Sequence, residues 1–147
     1  MGFEGFDTIG SLRRTDLRAV PLTSGVYAVL RPDLAEPIFL SVSSGGRWKG
    51  KDPSVPLPLL EAAWLRDAYV LYFGQTKVLR DRIELYLAFG AGQNVMHSGG
   101  RYLWHLDRTE DLIVAWWPCQ RPRVVEQALI VLFRTVYGDR PFANLQD

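Results

Sequence analysis

The chain has 147 residues, 48% hydrophobic and 22% charged, and 17 basic against 16 acidic side chains leave a net charge of +1. That is enough chain for one core without disulfides, too apolar and too evenly charged for intrinsic disorder, and its apolar runs fall far short of the about 18 residues that cross a bilayer. With no apolar leader at the N-terminus and a single Cys119 that can make neither an internal disulfide nor a zinc cluster, a cytoplasmic protein without membrane association is expected.

Residues 1–20 read as a lead-in with one helical turn over Ser11–Ala19, capped by its serine. Gly25–Leu30 is a β-rich run ended by Pro32, and Ile38–Val42 is a second. Ser43–Pro58 is a loop of glycine, proline and polar residues, long enough to be either functional or a tolerated insertion. Ala68–Phe73 reads as a third strand, stopped by Gly74. Thr76 stands as the N-cap of an amphipathic helix over 77–89, in which Leu79, Ile83 and Leu87 recur every four residues and Gly90 marks the end. Gly90–Gly100 is a flexible loop containing His97. Leu112–Trp117 lacks alternation, as a fully buried strand does, and Pro122 opens a last helix with Val125, Leu129, Leu132 and Val136 as its core stripe, closed by Gly138 and Pro141. These elements predict one α+β domain over residues 1–147, with a central, mostly antiparallel sheet of three to four strands flanked by helices.

Near-neutral charge excludes a basic field over the whole domain, so any phosphate-binding surface is local. Residues 77–101 hold Lys77, Arg80, Arg82 and Arg101 against Asp81 and Glu84, which is also what an ordinary solvated face carries. No metal-ligand spacing, nucleophilic triad or phosphate-binding glycine loop is present: His97 and His105 lack Glu-x-x-His or cysteine partners, and Gly90-Ala-Gly92 follows a helix rather than a strand. Cys119 has no base beside it in sequence and reads as inert.

Two tripeptides on strands stand out, Gly25-Val-Tyr27 and Tyr72-Phe-Gly74. Arg82 lies eight residues past Gly74, Tyr86 four further on, Glu126 in the last helix, and Asn144 in Pro141-Phe-Ala-Asn144. In this order the residues resemble the GIY-YIG nuclease family across roughly residues 22–145, and Gly99–Trp104 with the terminal Pro-Phe-Ala-Asn resembles a bacterial subgroup of it. The resemblance implies a small GIY-YIG-like domain that hydrolyses phosphodiesters in DNA, with RNA left open, using Mg²⁺ or Mn²⁺. It makes Tyr27, Tyr72, Arg82 and Glu126 the catalytic set: Tyr27 activates or orients water, Tyr72 positions phosphate or water, Arg82 stabilises the phosphorane charge, and Glu126 is the metal ligand. Gly25, Gly74, Gln75, Tyr86, His97 and Asn144 are supporting residues, and Arg80, Arg82 and Arg101 are candidate nucleic-acid contacts.

The residues read the same way physically. Arg82 and Tyr86 share a helix face beside the Leu79 column, where a packed guanidinium can grip a phosphate bidentately. Glu126 heads the column Ile130, Phe133, Tyr137, a carboxylate on an apolar row that is costly to bury unless paired or metal-bound; alternatively it is a first-turn charge on the helix dipole. His97 is either a phosphate contact or a plain loop histidine, and Arg101 with Trp104 either binds a strand or belongs to the core.

Two departures from the family pattern matter. Gln75 stands where several members carry lysine, and the gap between the tripeptides is far longer than is typical, making residues 33–68 an insertion that serves as a substrate-contacting arm or a lid. No separate recognition module is visible, so cutting is expected to have low intrinsic sequence specificity, with a specificity partner or homo-oligomer choosing the site. The alternative is a catalytically weak or inactive GIY-YIG-like module that binds nucleic acid or protein.

Overall fold

The structure, a computed structural model, describes residues 2–96 and 99–145. Among them the chain forms β1 (Glu4–Thr8), α1 (Ile9–Arg14), β2 (Gly25–Leu30), α2 (Leu57–Ala63), β3 (Val70–Thr76), α3 (Leu79–Gly90), β4 (Ile113–Pro118) and α4 (Pro122–Tyr137), with short 3-10 turns at 48–50, 101–105 and 109–111. The fold is α+β. Its four strands form one antiparallel sheet in the order β1-β4-β2-β3. No helix among the described residues is long and apolar enough to cross a membrane.

Period-two alternation on β2 splits the core into two layers. Tyr27 and Val29 face one side, with Val114 and Trp116 of β4, Ile9 and Leu12 of α1, and Leu79, Ile83, Tyr86 and Leu87 of α3. Val26 and Ala28 face the other, with Phe73, Ile130 and Phe133. A bulge interrupts the β2–β3 register: Val29 pairs with Tyr72 and Leu30 with Val70, so Leu71 is the extra residue. The bulge lets both Leu71 and Tyr72 join the α1/α3 side.

The lead-in differs from the sequence reading. It contains a strand, β1, and its helix is capped by Thr8, whose Oγ1 accepts from the Ser11 backbone N–H at 3.1 Å. The helix stops at Arg14 because the next turn needs positive φ at Asp16 and Leu17. Gly74 does not stop the third strand; it pairs with Tyr27 inside β3. Thr76 is no N-cap either, since α3 starts at Leu79 from Val78, although the Thr76 hydroxyl does accept from the Val78 N–H.

Ile38–Val42 forms no strand, only a single antiparallel bridge between Phe39 and Leu106. The edge of β3 that could have received another strand is closed by the C-terminal segment. Ala143 N–H donates to the Leu71 carbonyl at 2.8 Å, and the Asn144 amide both accepts from Phe73 N–H and donates to Phe73 C=O at 2.9 Å. The stretch read as an insertion, residues 33–68, also holds α2, which starts at the end of the Ser43–Pro58 loop with a proline in its first turn.

The stripe assigned to the last helix is the wrong one in part. Leu132 and Val136 are 63% and 72% exposed, while Ile130 and Phe133 are buried and Val125, Glu126 and Leu129 half-buried. Apolar residues surround α4, so periodicity alone offers two stripes; the sheet selects the one whose Phe133 meets Phe73 edge to face, ring centroids 6.4 Å apart.

Two buried polar residues tie the long β2–β3 connection to the body. Arg31 sends its guanidinium to the carbonyls of Ala68, Ala35, Leu65 and Arg66 and lies over the Trp64 ring at 4.7 Å. His105 is fully buried; its Nδ1 lies 2.8 Å from the Leu40 carbonyl and its Nε2 accepts from Val55 N–H at 3.1 Å. With Nε2 accepting, the ring is the neutral Nδ1–H tautomer, donating to Leu40.

Candidate active site

Near the β3 edge of the sheet, between α3, the loop before the 101–105 turn, and the start of α4, lies a cleft of about 660 Å³. Tyr27, Tyr72, Gln75, Arg82, Arg101, Glu126 and Asn144 all line it. Seven residues singled out in the sequence, spread over more than a hundred positions, therefore meet in one place.

Each is held for a local reason. Tyr27 points from β2 into the α1/α3 side and is 1% exposed. Its ring lies across Gly74, where any Cβ would overlap the phenol, so glycine is required there by close approach. Gly25 is needed likewise, because a Cβ would meet the Trp117 carbonyl and Leu79. Tyr27, Tyr72 and Tyr86 form a triangle of rings with centroids 5.9, 6.3 and 5.4 Å apart. Tyr86 is buried behind the cleft and donates to the Gly100 carbonyl at 2.7 Å, fixing the loop that carries Gly99, Gly100 and Arg101 along the wall. It is a positioning residue. Asn144 likewise clamps the Phe73 backbone and lines the rim.

The electrostatics follow from burial. The Tyr27 hydroxyl is enclosed and makes no well-formed hydrogen bond among the described residues, although the Arg82 guanidinium and the Tyr72 hydroxyl lie near enough to act on it. Burial pushes the Tyr27 phenol above its ordinary value, and the Arg82 guanidinium opposes that shift. Tyr72 and Tyr86 are raised further, again chiefly by burial, with neighbouring phenols adding to it. Glu126 is half-buried; desolvation raises its carboxyl and Arg123, one turn earlier, pulls it back.

Arg80 is not brought into the cleft. Its Nε donates to the Val20 carbonyl at 2.8 Å and its Nη2 to that of Arg18, so it fastens α3 to the loop after α1. Trp104 is fully buried against Tyr86 and belongs to the core. His97 lies outside the described residues. Arg123 and Gln127 line the cleft beside Glu126 and were not singled out in the sequence; their signal is helical spacing, with Glu126 three and Gln127 four residues after Arg123 in the first turns of α4.

The cleft thus presents three guanidinium groups, two phenols and one carboxylate. No group of three or more histidine, cysteine, aspartate or glutamate residues that would hold a metal ion unaided occurs among the described residues. A small hard cation still suits this donor set, because Mg²⁺ keeps several waters and needs one or two carboxylates plus substrate phosphate oxygens. Comparison with known proteins adds no family: no protein-family model matches the chain, and searches of curated proteins and of solved structures return no match.

Proposed function

We propose that the cleft is the centre of a GIY-YIG-type endonuclease that hydrolyses phosphodiesters in DNA with Mg²⁺ or Mn²⁺. The observation that carries this reading is the convergence of Tyr27, Tyr72, Arg82 and Glu126, from β2, β3, α3 and α4, on one cleft. Arg82, held by the packed face of α3, binds the phosphate and stabilises its developing charge. Arg101 and Arg123 supply further cationic wall for a polyanion. The unpartnered Tyr27 hydroxyl orients a water or phosphate oxygen that completes its hydrogen bonding. Glu126 is the carboxylate that would hold the divalent ion, and the ion when bound supplies Lewis-acid stabilisation of phosphate and leaving oxygens.

One observation favours a second reading, a nucleic-acid or protein binding module without cutting. Both signature phenols are buried and raised above their ordinary range, and Gln75 offers no charge to lower them. A plasmid-nicking assay at low salt, comparing wild type with Glu126→Gln under Mg²⁺, Mn²⁺ and chelator, decides between them. Nicking that needs metal and disappears in the variant is expected; an intact plasmid under both metals, with both proteins folded, leaves the binding module. An active wild type whose Glu126→Gln variant cuts equally well removes Glu126 as a metal ligand.

A further inference from the structure

The segment Arg47-Trp48-Lys49-Gly50-Lys51 is the tip of the long connection between β2 and β3, away from the cleft lining. It holds two of the chain's three lysines, and three cations face one carboxylate, Asp52, in a molecule whose net charge is only +1. Arg47 reaches Asp52 at 3.5 Å; among the described residues neither Lys49 nor Lys51 has an ion-pair partner. Trp48 is 40% exposed, whereas Trp104 and Trp116 are buried and Trp64 and Trp117 half-buried.

The tip is displayed on a stapled base. Ser43 N–H donates to Ser54 Oγ, Ser54 N–H to Asp52 Oδ1, Val55 N–H to His105, and Ser44 N–H to the Trp104 carbonyl. Gly46 N–H donates to Phe89 C=O at 2.8 Å and Arg47 N–H to Asn94 Oδ1 at 2.8 Å, joining the loop to the end of α3. Gly46 lies so close to the Gln93 carbonyl that no side chain fits there. Above this base the chain turns through Lys49 and Gly50, both at positive φ, so the indole and the ammonium groups project from a defined turn. Phe89 is seven residues beyond Arg82 on α3, about 10 Å along the helix.

We infer that this tip is a docking surface for an unpaired nucleic-acid strand, with Trp48 stacking on a base and Arg47, Lys49 and Lys51 neutralising phosphates. An indole among cations is the arrangement that holds single strands without sequence preference, because every base has a π face and every linkage a charge. In a duplex the bases are already stacked, so the occupant is single-stranded DNA or a splayed end. The inference concerns binding and not cutting: a chain that binds through this tip but leaves plasmid intact fails the nuclease reading and keeps this one.

The test is fluorescence anisotropy of a labelled dT oligomer of about 15 nucleotides, in chelator, over a salt series, with an abasic oligomer of equal length as control. Wild type is expected to bind dT more tightly than the abasic strand. Trp48→Ala weakens dT binding about tenfold and removes that difference, and Trp48→Phe restores most of it. The double variant Lys49→Ala/Lys51→Ala lowers the slope of log K against log salt by about 1.4. All three variants change exposed residues, and unchanged thermal melts confirm their folding. No binding by wild type at low salt, equal affinity for dT and abasic strands, Trp48→Ala indistinguishable from wild type, or an unchanged salt slope in the lysine variant overturns the inference. So does stronger competition by an acidic peptide than by dT, which assigns the tip to a protein partner.

Discussion

β2 carries a buried polar side chain near one end, Tyr27, and another just beyond the other, Arg31, and the fold treats them oppositely. Arg31 gives its donors to four carbonyls and rests on Trp64. The Tyr27 hydroxyl is equally enclosed but makes no well-formed hydrogen bond among the described residues, with only Arg82 and Tyr72 beside it. Buried polar groups in native proteins are nearly always paired; the Trp104 indole N–H is unpaired too but lies away from the cleft, so it is the unpaired hydroxyl lining the cleft, Tyr27, that reads as a position held ready. The lining of the two places agrees: Arg31 fixes the connection leading to α2, while Tyr27 opens onto three arginines and a carboxylate.

The contrast can be broken by substitution. Arg82→Ala, at the Tyr27 end, is expected to lower nicking by more than 100-fold, about 3 kcal/mol or more in the barrier, with little change in melting temperature; loss of folding instead would make Arg82 a structural residue like Arg31. Arg31→Met should do the reverse. It leaves buried carbonyls unpaired, and a loss of about 2–3 kcal/mol in a denaturant titration is expected, with nicking per folded molecule retained. Tyr27→Phe sharpens the comparison: it removes a hydroxyl with no well-formed hydrogen bond among the described residues, so stability should change by less than about 0.5 kcal/mol while nicking falls at least tenfold.

The smallest effect concerns Glu126. Its carboxyl is raised in the folded state, so the native chain holds that proton more tightly than the unfolded chain does. Stability from this group is therefore full at pH below the ordinary carboxylate value of 4.5 and is lost as pH rises through the higher native value. Glu126→Gln, which carries no charge, should melt about 1–3 °C higher than wild type at pH 7, and the difference should vanish near pH 4. A variant less stable at neutral pH would show that Glu126 is a favourable first-turn charge.

Much of this arrangement was legible because it rests on short-range chemistry. The helix over 77–89 and the strand Gly25–Leu30 announced themselves by periodicity and β-branched residues, and both are present within two residues of those bounds. Glu126 could be placed on an inward column because its partners Ile130 and Phe133 recur at helical spacing. What stayed hidden depends on contacts between distant segments. β1 is short, holds a glycine at positive φ, and exists because Glu4–Thr8 pairs with residues more than a hundred positions away on β4. Ile38–Val42 looked like a strand because its composition suits one, yet the β3 edge is taken by Ala143 and Asn144 and only the Phe39–Leu106 bridge forms. Arg80 and Arg82 are alike in sequence, and only the neighbouring carbonyls of Val20 and Arg18 assign the first to structure.

The closure of β3 by residues 143–144 has one more consequence, for the solution behaviour of shortened chains. Ala143 and Asn144 occupy the hydrogen-bonding groups of Leu71 and Phe73 that would otherwise form an open strand edge. A chain cut before Ala143 exposes that edge beside Phe73 and Leu71, and open edges template pairing between molecules. Such a truncation is therefore expected to elute as oligomers in size-exclusion chromatography, Ala143 and Asn144 acting as the molecule's guard against joining sheets with its own copies.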